Sequence, residues 1–252
     1  MNIEREIIEH YAQKDRSEVA QGHDHLHIGG KHATEYFLEK LGLTPDMRVL
    51  DIGCGVGGAA VTAAGNYGCF VTGIDLTPEF IELAKERTAL GPHRDKLYFE
   101  IADAARLDFK NENFDLVMML HTGMNIKDKQ SVYNETARVL KPKQTFAIYD
   151  ILALENYDDI KFPLPWAQTR QTSFLATLEQ MKELLSNAGF TITDIESRQD
   201  YAINTIKSML EKMGDSLSEF RQIVVRNLLH NIKNNACAPH IILATKDLGG
   251  TS

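Results

Sequence analysis

Residues 48–60 read RVLDIGCGVGGAA. A short apolar run ends at Asp51, and the alanine-rich end of the stretch favours a helix. Between them stand four glycines within six residues: Gly53, Gly55, Gly57 and Gly58. This order predicts a strand, a tight turn and the start of a helix. Glycine permits positive φ and lets a ligand lie on the main chain, and N–H groups at a helix start point toward that ligand.

Asp51 distinguishes this turn from a dinucleotide-binding turn. A glycine-rich turn alone also fits an NAD or FAD site, or close packing of a strand on a helix without any ligand. A pyrophosphate has no need of an acid two residues before the first glycine. A cationic amino-acid ligand could use that acid to hold its ammonium group, so this type of ligand is favoured.

Two further apolar runs also end in an acidic residue. Residues 70–74 lead to Asp75, about 20 residues after the glycine turn, where an acid at a strand end suits a ribose diol. Residues 97–102 lead to Asp103, whose side chain could meet an adenine amino group.

These three acid-terminated strands resemble the motifs of class I S-adenosylmethionine (SAM)-dependent methyltransferases across residues 41–152. The resemblance implies an α/β fold: a doubly wound, seven-stranded, mostly parallel Rossmann-like sheet whose seventh strand runs antiparallel beside the fifth. It implies SAM as cofactor and S-adenosyl-L-homocysteine as product. The cofactor-binding residues expected on this basis are Asp51, Gly53, Gly55, Gly57, Asp75, Leu76, Asp103, Ala104 and Leu120.

Three other segments resemble small-molecule amine methyltransferases. They are HLHIGGKHAT at residues 25–34, HTGMNIKDK at 121–129 and PLPWA at 163–167. The group includes the phosphoethanolamine, glycine-sarcosine and sarcosine-dimethylglycine enzymes, within the type 11 methyltransferases. In the phosphoethanolamine enzymes a tyrosine at the place of His25 works with a histidine after the fourth strand. Here His25 replaces that tyrosine, so the pair is not carried over intact.

The almost wholly apolar run at residues 114–120 predicts a central strand, and polar side chains follow it. Ligands of parallel α/β sheets lie at the carboxyl ends of the strands. His121 and Asn125 are therefore candidate catalytic residues, together with His25. His121 could instead order a turn, and Asn125 could instead cap a helix that begins near Lys127.

Three residues are candidates for contact with the substrate: Tyr11, His27 and Trp166. Aromatic faces attract positively charged methyl donors and acceptors. Trp166, the only tryptophan, could equally anchor the core. The alternating histidines at positions 23, 25 and 27 could bind a metal in an extended segment, but SAM chemistry needs none and no metal is expected.

The chain is expected to divide into two parts. Residues 1–40 form an N-terminal helical lid and substrate loop, in which a helix over 1–20 either covers the SAM pocket with Tyr11 turned inward or serves only for packing. Residues 41–252 form the SAM-binding domain, with cap insertions at about 153–175 and 202–234.

The composition limits the classes of molecule that the protein is expected to bind. The 252 residues are 43% hydrophobic, with a net charge of −8 and no cluster of Lys and Arg, which disfavours binding to a phosphate backbone. No apolar run approaches a membrane span. Three cysteines, an odd count without metal-site spacing, indicate a reduced cytoplasmic protein. We expect a small-molecule substrate, no nucleic-acid or membrane partner, and a monomer or homodimer.

The function expected from the sequence is methyl transfer from SAM to a small molecule, at an amine nitrogen. A histidine could take the proton of the acceptor, and His121, His25 and His27 are the possible bases. Several alternatives stay open. The acceptor could be the oxygen or carbon of a phenol- or quinol-like molecule, or a protein or RNA, or the chain could be a non-catalytic SAM-binding regulator.

Overall fold

The computed structural model describes residues 27–213 and 217–248. The expected N-terminal helix, Tyr11 and His25 lie outside these residues. Helices and strands alternate along the described chain. The helices are α1 (Gly30–Glu39), α2 (Gly58–Tyr67), α3 (Pro78–Thr88), α4 (Lys129–Val139), α5 (Leu178–Asn187), α6 (Gln199–Met213) and α7 (Glu219–Lys233). The strands are β1 (Arg48–Ile52), β2 (Phe70–Asp75), β3 (Leu97–Ile101), β4 (Phe114–Leu120), β5 (Leu140–Ala153), β6 (Phe190–Ser197) and β7 (Cys237–Lys246).

The strands form one sheet in the order β3-β2-β1-β4-β5-β7-β6. The first five strands in this order are parallel, and β7 runs antiparallel to both β5 and β6. Ile52 of β1 pairs with Ile74 of β2 and with Met119 of β4, so the carboxyl ends of these strands are level. The predicted seven-stranded, mostly parallel fold is confirmed.

Helices cover both faces of the sheet because the central strands are apolar on both sides. Phe37 and Leu38 of α1 pack with the alanines of α2 on one face. Tyr133 of α4 and Leu185 of α5 pack on the other. Some charged groups are buried in the fold. Those near the sheet edge where β1, β2 and β4 end are candidate functional groups.

A third apolar cluster joins the two expected cap insertions. Residues 160–167 contribute side chains that pack against Ala202 and Ile206 of α6 and against Leu228 and Ile232 of α7. The second insertion consists of two helices, α6 and α7. The exact domain limits stay a prediction. No helix within residues 27–213 and 217–248 has both the length and the apolar character needed to cross a membrane.

Several element limits differ from the sequence-based expectation. The sequence ATEYFLEKL at residues 33–41 predicts a helix, but α1 begins earlier, at Gly30 behind Gly29, which has φ +84°. The sequence TFAIYDIL at residues 145–152 predicts the fifth strand, but β5 begins at Leu140 and passes through Lys143 at φ +62°. The helix after β4 begins at Lys129, so the suggestion that Asn125 caps it is wrong. The side chain of Asp128 is the cap, since it accepts the N–H of Ser131.

Candidate cofactor and acceptor site

The glycine turn joins β1 to α2 in the expected conformation. Gly53, Gly55 and Gly57 have φ values of +70°, +53° and +86°. A Cβ at Gly53 would overlap the side chain of Thr122, and one at Gly57 would lie 2.9 Å from Cζ of Phe99. A Cβ at Gly55 would meet nothing within 4 Å. Packing therefore requires the first and third glycines, whereas the second borders open space.

Replacing Gly53 is expected to destabilise the fold more than replacing a glycine that only needs positive φ. Gly53→Ala should lower the free energy of unfolding by about 3 kcal/mol, from left-handed backbone strain and from the overlap with Thr122. Gly42, at φ +60° with nothing within 4 Å of a Cβ, is the matched control, and Gly42→Ala should cost about 1 kcal/mol. Urea unfolding measures both, and equal losses would contradict the proposed packing at Gly53.

Asp75 connects the end of β2 to the glycine turn. Its Oδ2 accepts the N–H of Gly55 at 3.0 Å, and its Oδ1 accepts the N–H of Thr77 at 2.9 Å, at the start of α3. Burial raises the pKa of this carboxyl above its usual value, although the two backbone donors favour the charged form. Asp75 thus fixes the turn and still has lone pairs for a ligand hydroxyl.

Asp51 lies beneath the same turn and is 1% exposed. Its Oδ2 is buried and has no hydrogen-bond partner among the described residues. Burial raises the pKa of Asp51 to about 7, and the nearby charge of Asp75 acts in the same direction. A buried carboxylate oxygen without a donor is costly, so this atom favours a ligand that brings a positively charged donor.

The remaining candidates for the cofactor surround this centre. Asp103 is exposed in the loop after β3, where its Oδ1 accepts the N–H of Ala105 at 2.9 Å. Ala104 beside it is half-buried, and Leu76 after β2 is 46% exposed. Leu120 is buried at the end of β4. All of these residues lie at or just beyond the carboxyl ends of the parallel strands, as ligand-binding residues of such sheets do.

His121 follows β4 with φ +48°, an uncommon conformation for a residue with a side chain. Its N–H donates to the carbonyl of Tyr149 at 2.6 Å. Its ring centroid lies 4.8 Å from that of Tyr149 and 5.1 Å from that of His27, with the two imidazoles nearly parallel. Its Nε2 is buried without a hydrogen-bond partner in the described chain. Burial, reinforced by His27, holds the pKa of His121 well below its usual value, so the ring is neutral.

Three other candidates occupy different surroundings. His27 stacks on His121, and its Nε2 lies 2.9 Å from Oγ1 of Thr34. Asn125 ends a short 3-10 helix, Gly123–Asn125, and is half-buried. Trp166 is 2% exposed within the third apolar cluster, and its Nε1–H donates to Oγ of Ser173 at 3.0 Å. Packing accounts for these contacts of Trp166, and its contact with a substrate stays a prediction.

Sequence reasoning did not identify four residues that shape the site: Thr122, Lys129, Tyr149 and Asp150. Oγ1 of Thr122 lies 3.4 Å from the carbonyl of Gly53 and so joins the segment after β4 to the glycine turn. Asp150 interrupts the apolar run of β5, and a carboxylate in such a run could have indicated a buried polar role. The other three carry no local signal.

No group of three or more His, Cys, Asp and Glu side chains arranged to hold a metal occurs within residues 27–213 and 217–248. His23 and His25 lie outside this part of the chain.

Comparison with known proteins identifies the family. Residues 43–174 match a family model described as a methyltransferase domain. The chain belongs to this methyltransferase family. The match covers the strands and turns described above, from β1 to the segment after β5, and it confirms the resemblance inferred from the three acid-terminated strands.

Several relatives of this chain are phosphoethanolamine N-methyltransferases. The chain is 32% identical over 212 residues to phosphoethanolamine N-methyltransferase 1 of Zea mays, covering 82% of this chain and 41% of the relative. It therefore spans about two fifths of that protein. It is 27% identical over 233 residues to phosphoethanolamine N-methyltransferase of Plasmodium falciparum, covering 88% and 85% of the two chains.

Solved structures show the same fold. Phosphoethanolamine N-methyltransferase 2 of Haemonchus contortus, in complex with SAM, superposes with a TM-score of 0.77 at 22% identity and covers 89% of this chain and 54% of its own. Geranyl diphosphate C-methyltransferase of Streptomyces coelicolor superposes with a TM-score of 0.82 at 14% identity, with 98% of both chains covered. At these identities the likeness concerns the fold alone.

Proposed function

We propose that this chain is a SAM-dependent methyltransferase that acts on an amine nitrogen of a small molecule. The observation that carries the proposal is the buried, unpartnered Oδ2 of Asp51 beneath a glycine turn, at the same sheet edge as the neutral His121. The first group suits the ammonium of an amino-acid cofactor, and the second suits an acceptor that must lose a proton.

The residues present fit SAM. Gly55 borders open space, where main chain can approach a ligand closely, and Asp75 has acceptor capacity for ribose hydroxyls. Asp103 and Ala104 follow β3 where an adenine would lie, with Leu76 and Leu120 nearby. When bound, SAM supplies a methyl group already activated on a sulfonium. The protein then has mainly to bind and align the acceptor, which accounts for much of the acceleration in such reactions.

Asp51 is expected to make cofactor binding depend on pH. Its pKa is raised to about 7, so the carboxyl is neutral below that pH and gains its charge as the pH rises through it. An α-amino group stays largely protonated over this range. The affinity for SAM should therefore rise about tenfold from about pH 5.5 to pH 7. Calorimetry measures this rise.

Asp51→Asn is the control for that pH dependence. The variant should bind SAM more weakly near pH 7 and show a smaller rise, because the amide cannot acquire a charge. A wild-type affinity that does not change over this range would contradict the assignment of Asp51 to the ammonium group.

His121 is proposed as the base that receives the proton of the acceptor. An amine attacks only as the neutral species, and a neutral imidazole can accept a hydrogen bond from its N–H and then the proton. The buried Nε2 has no partner in the described chain that competes for this role. Asn125 follows in the same segment, and we propose that it helps to orient the acceptor. His27 stacks on His121.

A panel of acceptors tests whether the methyl group is transferred to nitrogen. The protein is incubated with SAM and, separately, phosphoethanolamine, sarcosine or a simple phenol, and S-adenosyl-L-homocysteine is quantified. Turnover with an amine supports the proposal. Turnover with the phenol alone would favour the second candidate, O-methylation. The observation that favours this second candidate is a relative from Pyrenophora dematioidea named O-methyltransferase, which is 27% identical over 190 residues and is covered to 70%, with 75% of this chain covered.

We also propose a cellular location, an assembly state and a class of partner for the protein. The three cysteines, Cys54, Cys69 and Cys237, are all unpaired and buried, which supports a reducing, cytoplasmic location. The protein is proposed to be a monomer or homodimer. Its substrate is a small molecule, and it has no nucleic-acid partner.

A further inference from the structure

The segment that carries His121 and Asn125 is held at both of its ends. At its start, the N–H of His121 donates to the carbonyl of Tyr149 in β5. At its end, Nζ of Lys129 donates to the carbonyl of Ile126 at 2.6 Å. Between them, the carbonyl of Met124 accepts the N–H of Phe174 at 2.9 Å. The backbone of this segment is therefore fixed by groups from β5, α4 and the chain beyond β5.

Asp150 is the charged group beneath the middle of this segment. It follows Tyr149 in β5, is 3% exposed, and its Oδ1 accepts the N–H of Ile151 at 2.8 Å. The backbone N–H groups of Gly123 and Met124 also face its carboxylate. Burial raises the pKa of Asp150 to about 7, and the backbone N–H groups of Ile151, Met124 and Gly123 oppose this rise because they favour the charged form. A Cβ at Gly123 would overlap Oδ2 of Asp150, so the contact requires glycine there. The carboxylate thus fits closely against the 3-10 turn between His121 and Asn125.

Lys129 lies near enough to Asp150 for the charge of each to act on the other. Its residue is 7% exposed, and its Nζ donates to the carbonyls of Ile126 and Phe174, the latter at 2.5 Å. Burial lowers the pKa of Lys129 to about 8, and the charge of Asp150 opposes this effect. Two buried opposite charges that each bind backbone of the same segment restrict its conformation more than either hydrogen bond alone.

We propose that Asp150 and Lys129 are positioning residues that set the conformation of residues 121–126 and thereby the orientation of the His121 imidazole toward the acceptor. Neither side chain needs to touch substrate. The left-handed conformation of His121 is sparsely populated for a residue with a side chain and persists only where its surroundings hold it. The kinetic consequence rests on the proposed function, whereas the orientation of His121 does not.

The first test reads the orientation of His121 directly. The protein contains nine histidines, so ¹⁵N-labelled histidine gives a small set of imidazole signals, and loss of one signal in His121→Gln assigns His121. In a protein that retains His121, the single substitution Asp150→Asn should shift or broaden the His121 signals. Unchanged His121 signals in a folded Asp150→Asn variant would overturn the proposal, whether or not the protein transfers methyl groups.

Asp115→Asn is the matched control. Asp115 also accepts a backbone N–H, from Arg48 at 2.9 Å, and also pairs with a lysine, Lys141. It stands at the opposite end of β4 from His121. Asp115→Asn should leave the His121 signals in place, and equal shifts in the two variants would overturn the proposal by showing a general effect of losing a carboxylate.

The second test separates positioning from binding. With the acceptor that gives turnover, Asp150→Asn should lower kcat about fivefold while the Kd for SAM changes less than about twofold. Asp115→Asn should leave both within about twofold. An Asp150→Asn variant with wild-type kcat would overturn the kinetic role. A wild-type protein that binds SAM but gives no turnover would contradict the proposed function instead, and the imidazole signals would still decide the positioning role.

Lys129→Met covers the case in which Asp150→Asn does not fold. Methionine has a side chain of similar length, but it cannot donate hydrogen bonds to the carbonyls of Ile126 and Phe174. It should shift the His121 signals in the same direction and to a smaller extent. Unchanged signals in this variant would overturn the role of Lys129.

Discussion

His121→Gln is expected to lower kcat about 100-fold, the usual scale for loss of a general base. Glutamine can keep a hydrogen bond to the acceptor but cannot take its proton. The pKa of His121 is held well below its usual value, so this ring should stay neutral down to acidic pH, and its protonation should not reduce kcat near neutrality. Steady-state kinetics with saturating SAM measure the effect.

His32→Gln is the control for this substitution. His32 is exposed on α1, and its replacement should leave kcat within about twofold. If His121→Gln retained more than about a third of wild-type kcat, the role as base would be wrong. His27, or His25 outside the described residues, would then be the histidine to replace next.

Asp75→Ala is expected to weaken SAM binding by at least about tenfold. Two effects act together. The ribose loses its carboxylate partner, and the N–H groups of Gly55 and Thr77 lose their acceptor, so the glycine turn and the start of α3 are less well fixed. Calorimetry at about pH 7.5 measures the affinity.

Asp115→Ala, at the other end of the parallel strands, is the matched control and should leave SAM affinity within about twofold. Unchanged affinity in Asp75→Ala would remove Asp75 from the cofactor site. Equal losses in both variants would instead indicate a general loss of stability.

The sequence was most informative where the signal is local. β4 has the predicted limits, because an apolar run bounded by polar residues defines a strand without reference to the rest of the chain. The glycine turn was predicted because positive φ restricts the residue type. The antiparallel placement of the seventh strand beside the fifth followed from the family resemblance, and the pairing of β7 with β5 confirms it.

The acceptor side was less accessible, because its geometry depends on contacts between distant parts of the chain. The positive φ of His121 was not predicted, and the carbonyl that accepts its N–H belongs to Tyr149 in β5, a distant part of the chain. The fit of Asp150 against Gly123 becomes visible only once β4 and β5 are paired. Likewise, composition alone could not show whether Trp166 is anchored in the core. The hydrogen bond from Trp166 to Ser173 shows that it is.

The most direct test of the central claim is transfer of labelled methyl from SAM into a metabolite extract fractionated by size, with Asp75→Ala as the control. We expect label in the small-molecule fraction, an N-methylated amine by mass spectrometry, and much less label with the variant. Label in the macromolecular fraction would contradict the small-molecule acceptor. SAM binding without label in any fraction of an extract supplemented with the amine panel would contradict catalysis and favour a SAM-binding regulator.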